Sequence, residues 1–131
     1  MTDSNVMEIL LVTTRQTKRW IIPKGWPIKG LKPAKSAARE AFEEAGVIGS
    51  IRTRKIGSFI YDKRLDDGGA VISCEVTVFP LRVKRQRKVW PEFHQRICRW
   101  FEVSKASVAV EDGLRPLIES FGKPRKPKRK K

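Results

Sequence analysis

Residues 33–46, Pro-Ala-Lys-Ser-Ala-Ala-Arg-Glu-Ala-Phe-Glu-Glu-Ala-Gly, restrict the fold more than any other stretch of the chain. On a helix of 3.6 residues per turn, Ala34, Ala37, Ala38, Ala41, Phe42 and Ala45 fall on one continuous arc. Glu40, Glu43 and Glu44 fall on another. One face belongs against a core, and the other gathers negative charge within a single turn. Carboxylates three and four residues apart repel and destabilise an isolated helix. An ordinary solvated acidic face would carry lysine partners at i+4, yet Arg39 is the only basic residue in the last turn and a half. A hard divalent cation, which takes oxygen ligands, would remove the repulsion.

The helix is expected from Pro33 to Ala45, with Pro33 suited to its first turn and Gly46 to its C-terminal stop. Upstream, Val6 to Thr14 reads as a buried strand and Arg19 to Ile22 as a short second one. Residues 25, 27, 30 and 33 are glycine or proline and make the intervening loop irregular. Downstream, Ile51 to Asp62 is expected to be a strand, residues 66–69 a turn, and Val71 to Val83 one long strand. In that strand Ile72, Cys74, Val76 and Val78 form an apolar face opposite Ser73, Glu75 and Thr77. Arg82 to Pro91 reads as a basic loop and Ile97 to Val103 as the last strand. Ser104 suits the N-cap of a short helix to Val110, and a second helix covers Asp112 to Phe121.

Gly25, Arg39, Glu40, Glu43, Glu44, Gly46 and Val47 stand at the spacings of the Nudix box, G-x5-E-x7-R-E-U-x-E-E-x-G-U, where U is a bulky aliphatic residue. The chain resembles the Nudix family on that ground. Two positions depart from the pattern: Ala41 is smaller than usual, and Leu31 stands where the first glutamate belongs. Leu10 to Arg15, Arg19 to Gly25, Glu44 to Gly49 and the Arg96-x3-Trp100-Phe101 stretch are similar to the diphosphoinositol polyphosphate phosphohydrolase branch. The resemblance spans roughly residues 6–122. It implies an α/β fold, the Nudix-type α/β/α sandwich with a mixed β-sheet. It also implies hydrolysis of a phosphoanhydride with Mg²⁺ as cofactor, or Mn²⁺ in its place.

At 131 residues with 40% apolar side chains, the chain is expected to form one domain over residues 1–122. No apolar run approaches the ~20 residues that span a bilayer, so no membrane partner is expected. Residues 1–15 lack the basic start and apolar centre of a secretory signal. Cys74 and Cys98 show no metal-binding spacing and read as buried thiols of a cytoplasmic, reduced protein. The net charge is +15, with a pI of about 10.4. Residues 123–131 supply seven of those charges and no acid, leaving the body at +8. Such a tail is expected to be disordered and offers attraction to nucleic acid, or serves as a solubilising end. The basic body suits a polyanionic phosphorylated small molecule steered towards an acidic centre.

Glu40 and Glu44 are the first-choice metal ligands, with Glu43 as third ligand or water-orienting residue. Arg39 is expected to brace a carboxylate or the loop. Gly25 and Gly30 let the loop wrap against the helix. With leucine at position 31, the general base falls to Glu43, Glu40 or an outside carboxylate. Glu92 is the favoured outside candidate and Glu75 a second, while the single histidine, His94, reads as a surface residue. Arg15, Lys18, Lys24 and Arg96 are the candidates for substrate phosphates, as forks or point charges. Trp26 and Trp90 flank the expected cleft and can stack on a base, whereas Trp20 and Trp100 belong to the core. The leading expectation is a pyrophosphohydrolase acting on a dinucleoside polyphosphate or a diphosphoinositol polyphosphate. The alternatives are removal of pyrophosphate from RNA 5′ ends, suggested by the tail, and a catalytically weak ligand-binding module, suggested by Leu31. The three intact carboxylates count against the last.

Overall fold

The computed structural model describes residues 7–15, 17–64 and 69–122. Its elements in chain order are β1 (Glu8–Thr13), β2 (Trp20–Ile21), α1 (Pro33–Ala45), β3 (Val47–Ile51), β4 (Gly57–Arg64), β5 (Val71–Val78), β6 (Leu81–Gln86), β7 (Cys98–Glu102), α2 (Val103–Ala109) and α3 (Arg115–Gly122).

The strand β1 organises the core. Leu10, Leu11, Val12 and Thr13 are consecutive, and all are buried. Successive strand side chains point to opposite faces, so a run buried throughout must be covered on both sides. Ala41 and Ala45 of α1 and Ala106, Val110, Leu114 and Ile118 from the α2–α3 region join these residues in one apolar cluster. This is the α/β layering expected from the sequence. Strand β1 pairs antiparallel with β2 on one edge and β7 on the other. Two further antiparallel ladders join β3 to β6 and β4 to β5. The ladders among the described residues are all antiparallel, so the mixed β-sheet expected is not seen there as hydrogen-bonded pairing.

Three element boundaries differ from expectation. The strand expected over Ile51 to Asp62 is two strands, because Arg52, Thr53, Arg54 and Lys55 offer no apolar alternation to continue it. The long strand expected over Val71 to Val83 breaks at Phe79-Pro80, since proline lacks the N–H a ladder needs. Its second half becomes β6, which takes in the first part of the expected basic loop. Helix α2 starts at Val103, with Glu102 rather than Ser104 at the cap position and no side-chain cap bond. The expected turn at residues 66–69 falls almost wholly outside the described residues, as does the tail 123–131. No helix among the described residues is long and apolar enough to cross a membrane.

Leu11 is fully enclosed, so Leu11→Ala is expected to lose about 3–5 kcal/mol of stability through lost burial and an unfilled cavity. Urea denaturation measures it. A loss below about 1 kcal/mol would mean that one face of β1 is open.

Candidate active site

Both ends of α1 are set by local chemistry. Proline opens the helix, which has no side-chain cap at Lys32. The loop before it is held instead by the buried Ser36, whose hydroxyl accepts the Ile28 N–H at 3.0 Å. Gly30 takes a positive φ of 87° in the turn that precedes the helix. At the other end Gly46 adopts the left-handed conformation, φ 72°, and its N–H reaches the Phe42 carbonyl at 2.8 Å.

The last carbonyls of a helix have no partners within it. Here the segment from Gln86 to Cys98 provides them. Gln86 donates its side-chain amide to the Ala45 carbonyl at 2.9 Å, and the Arg87 N–H bonds the Gly46 carbonyl at 2.8 Å. The Trp90 indole N–H reaches the Glu44 carbonyl at 3.1 Å. The Glu92 N–H bonds the Glu43 carbonyl at 3.0 Å. Trp90 also lies so close over Gly46 that a Cβ there would meet its ring at 2.3 Å. Trp90 is therefore a packing residue of the helix end, edge-on to Phe93, and is not available to stack on a substrate base.

This docking brings the late loop to the acidic turn. Glu44 is almost fully buried, 3% exposed, and so belongs to the core side of the helix rather than to an open acidic face. Its carboxylate accepts the Lys24 N–H at 3.3 Å and lies 3.8 Å from the Arg96 guanidinium. Arg96 is itself enclosed, bonded to Glu92 at 2.8 Å and to the Thr13 carbonyl at 3.1 Å. Expected to meet substrate phosphate, Arg96 is instead committed to holding Glu44, Glu92 and the end of β1 in one arrangement. Glu40 lies against Gly25, where a Cβ would meet its carboxyl carbon at 2.3 Å. The side-chain-free backbone of Gly25 is thus what makes room for Glu40.

Glu43 stands apart, 3.8 Å from Arg39 on the half-open side of the helix. Arg39 is exposed and braces that carboxylate. A three-carboxylate grip by Glu40, Glu43 and Glu44 is not assembled: no three carboxylate, thiol or imidazole groups among the described residues stand together within coordinating reach. Glu40 and Glu44 remain as two hard oxygen donors one helical turn apart, and Mg²⁺ usually takes one or two protein carboxylates and completes its shell with water and phosphate oxygens. The donor set fits that ion.

Electrostatics point the same way. Burial pushes the Glu44 carboxyl up to about 7, with the nearby Arg96 opposing and Glu92 and Glu40 adding to the rise. Burial, then Glu43 and Glu92, also raise Glu40. The cluster holds more negative charge than Arg96 and Lys24 neutralise, and α1 carries no basic residue in its last turn to offset it.

Lys24 borders the cluster. Its ammonium sits 3.8 Å over the Tyr61 ring, and burial and then Lys63 lower its proton affinity. Lys63 lies 5.9 Å from the exposed Trp26 ring. Tyr61 and Lys63, both on the inner face of β4 with Phe59, belong to this margin and were not among the residues picked from sequence. Their period-2 alternation shows that they share a face, but only the folded structure shows that Lys24 and Trp26 lie over it. Arg15 is exposed at the β1–β2 hairpin and bonded to Gln95 at 3.0 Å, while Lys18 is exposed in the same turn with φ 60°. Glu75 points the other way, accepting the Ser58 hydroxyl at 2.9 Å, and His94 is an exposed neighbour of Phe93. Trp100, expected in the core, is 38% exposed beside Gln86. Cys74 and Cys98 are free and half-buried.

A layered α/β domain with an acidic helix end enclosed by a late loop and edged by lysines defines the class. The chain belongs to the Nudix family, whose NUDIX domain matches residues 1–121. Among curated relatives, it is 32% identical over 112 residues to Nudix hydrolase 18, mitochondrial, of Arabidopsis thaliana, covering 85% of this chain and 60% of the relative. It is 30% identical over 127 residues to Nudix hydrolase 17, mitochondrial, of the same plant, covering 92% and 66%. The chain thus spans roughly three-fifths of the length of such relatives. In fold it is similar to the crystal structure of C. elegans Ap4A hydrolase, with a TM-score of 0.57, 18% identity, and coverage of 90% of this chain and 86% of that one. The solution structure of the E. coli ORF135 protein is similar too, at a TM-score of 0.56 and 18% identity, with coverage of 87% and 79%.

The raised Glu44 carboxyl has a thermodynamic signature in the metal-free protein. Folded, it holds its proton up to about pH 7, and unfolded only to the ordinary carboxyl value of 4.5. Between those values the folded state binds more protons, so this group makes stability rise as pH falls from 7 to 4.5. The change is as much as about 3 kcal/mol. Glu44→Gln should remove that component and be the more stable protein at pH 7.5 in EDTA, as read by urea denaturation. Parallel pH–stability curves for the two proteins would refute the assignment.

Proposed function

We propose that the chain is a Mg²⁺-dependent pyrophosphohydrolase that cleaves a phosphoanhydride in a polyphosphorylated small molecule. Dinucleoside polyphosphates and diphosphoinositol polyphosphates are the substrates proposed. The observation that carries the reading is the convergence of Glu40, Glu44 and Glu92 around Arg96 at the buried end of α1. Membership of the Nudix family supports it. Mn²⁺ is the proposed alternative cofactor, and a reduced, cytoplasmic setting the proposed location.

In the reaction, a water oxygen attacks phosphorus, the bridging P–O bond breaks, and two phosphorylated products separate. Glu40 and Glu44 would hold a divalent ion, which would supply neutralisation of charge on the non-bridging oxygens. Arg96 keeps Glu44 and Glu92 in place rather than touching substrate. Glu92, anchored through its own N–H and through Arg96, receives the proton of the attacking water. This assignment answers the leucine at position 31, which can neither orient nor deprotonate water. Lys24 and Lys63 meet substrate phosphates at the β4 margin, with Arg15 and Lys18 on the hairpin as outer contacts. Trp26, exposed beside Lys63, offers an aromatic face to a base or apolar group.

A panel of anhydrides assayed with Mg²⁺ tests the reading. Glu44→Gln is expected to lower kcat by roughly 10³-fold or more, and Glu92→Gln by roughly 10²–10⁴-fold with KM little changed. Wild-type rates in Glu44→Gln would end the proposal. Turnover undiminished in Glu92→Gln would move the base to Glu40 or Glu43.

Gly25→Ala offers a finer test. The three atoms nearest the added methyl group all belong to the flexible end of Glu40, so folding should survive with a change below about 1 kcal/mol. Activity should nevertheless fall at least tenfold, and the Mg²⁺ concentration for half-maximal rate should rise. Full activity at unchanged Mg²⁺ demand would show that Glu40 is not needed where it lies.

A further inference from the structure

The loop between β2 and α1 is fastened to the helix on both sides of one large exposed side chain. Lys24 gives its N–H to the Glu44 carboxylate at 3.3 Å, and Ile28 gives its N–H to the buried Ser36 hydroxyl at 3.0 Å. Between them Gly25 lies against the Glu40 carboxyl. Pro27 restricts the residue before it to extended conformations. That residue is Trp26, 57% exposed. A lone exposed apolar side chain is ordinary on a protein surface. An indole mounted on so short and so firmly anchored a segment, next to the acidic centre, is not explained by packing.

The side chains between Trp26 and the carboxylates form an ordered row. The Lys24 ammonium sits 3.8 Å over the Tyr61 ring. Lys63 follows two residues along β4, on the same face and roughly 7 Å further on. Its ammonium lies 5.9 Å from the Trp26 ring centre. That is the outer limit of a cation–π contact, about 6 Å, so Lys63 leaves the indole largely free. The two lysines are near enough for Lys63 to lower the proton affinity of Lys24, and neither forms an ion pair among the described residues. Like charges left facing each other favour an anion between them.

From the carboxylates outward the order is therefore cation, cation, indole. A polyphosphate chain that ends in a planar group matches it, and a nucleotide is such a molecule. An inositol polyphosphate carries phosphates all round an aliphatic ring, and its far end would call for another cation where the indole stands. Every nucleobase has a π-face on which an aromatic side chain can stack.

We propose that Trp26 selects the substrate, stacking on the base of a nucleoside polyphosphate whose phosphates run past Lys63 and Lys24 to Glu40 and Glu44. The inference rests on the hydrolytic reading of this site and narrows its two substrate classes to the nucleotide one.

Isothermal titration of the full chain in Mg²⁺ tests it with three probes. They are adenosine triphosphate with both bridging oxygens replaced by methylene groups, the bare triphosphate chain with the same replacement, and inositol hexakisphosphate. None offers an anhydride to hydrolyse, so binding is read apart from turnover. The adenosine probe should bind roughly five- to a hundredfold more tightly than the bare chain. Trp26→Ala should erase most of that ratio, and Trp26→Phe should restore most of it. Lys63→Gln should weaken both chains alike and keep the ratio. Circular dichroism confirms that each variant is folded. A ratio near one in the wild type overturns the proposal, as does a Trp26→Ala protein that keeps the wild-type ratio. Wild-type affinity for both chains in Lys63→Gln overturns it too, and so does inositol hexakisphosphate that binds more tightly than the adenosine probe and displaces it. A base preference that stands while no anhydride is cleaved would instead sink the hydrolytic reading and leave Trp26 as a base-binding residue.

Discussion

The unpaired carbonyls at the C-terminal end of α1 are the constraint on which the site depends. A helix end placed inside a protein must find donors for them, and here every donor comes from one segment more than 40 residues downstream. The Trp90 indole, the Glu92 N–H, the Gln86 amide and the Arg87 N–H close the end of the helix. The same bonds carry Glu92 and Arg96 to within reach of Glu44. Backbone satisfaction and assembly of the acidic centre are therefore one event. Gly46 serves both, because its left-handed turn ends the helix and its missing side chain leaves room for the Trp90 ring.

The second organising element is Arg96. One guanidinium meets Glu44, Glu92 and the Thr13 carbonyl, and so joins the helix, the late loop and the central strand. A buried carboxylate beside such a cation is held in place but not fully neutralised, since burial still raises Glu44 to about 7. The centre is thus rigid and under-compensated in charge. That combination costs stability in the bare protein and favours a cation when one is supplied. Glu43, paired with Arg39 at the margin, contributes to the local field without joining the buried pair.

Much of this was legible in the residues themselves. The small and acidic arcs of α1, its proline start and its glycine stop placed the helix at its observed bounds, because helical periodicity and capping are local. The Gly25 requirement was legible as a need for backbone freedom, although the side chain it makes room for was not. Strand boundaries were less so: Pro80 marked a break that apolar alternation on either side obscured. Trp90 and Trp100 were each placed wrongly, the first as a cleft residue and the second as core. An indole fits a strand, a cap or a surface equally well until its neighbours are known.

By itself the sequence determined the family, the helix and the identity of its carboxylates, since each depends on residue type at short spacing. Tertiary structure alone decided which carboxylate is buried and which faces Gly25. It also turned Arg96 from a phosphate contact into an internal tie, and brought Tyr61 and Lys63 to the margin of the centre. Those outcomes depend on contacts between segments up to about 80 residues apart, and no local periodicity encodes a distance through space.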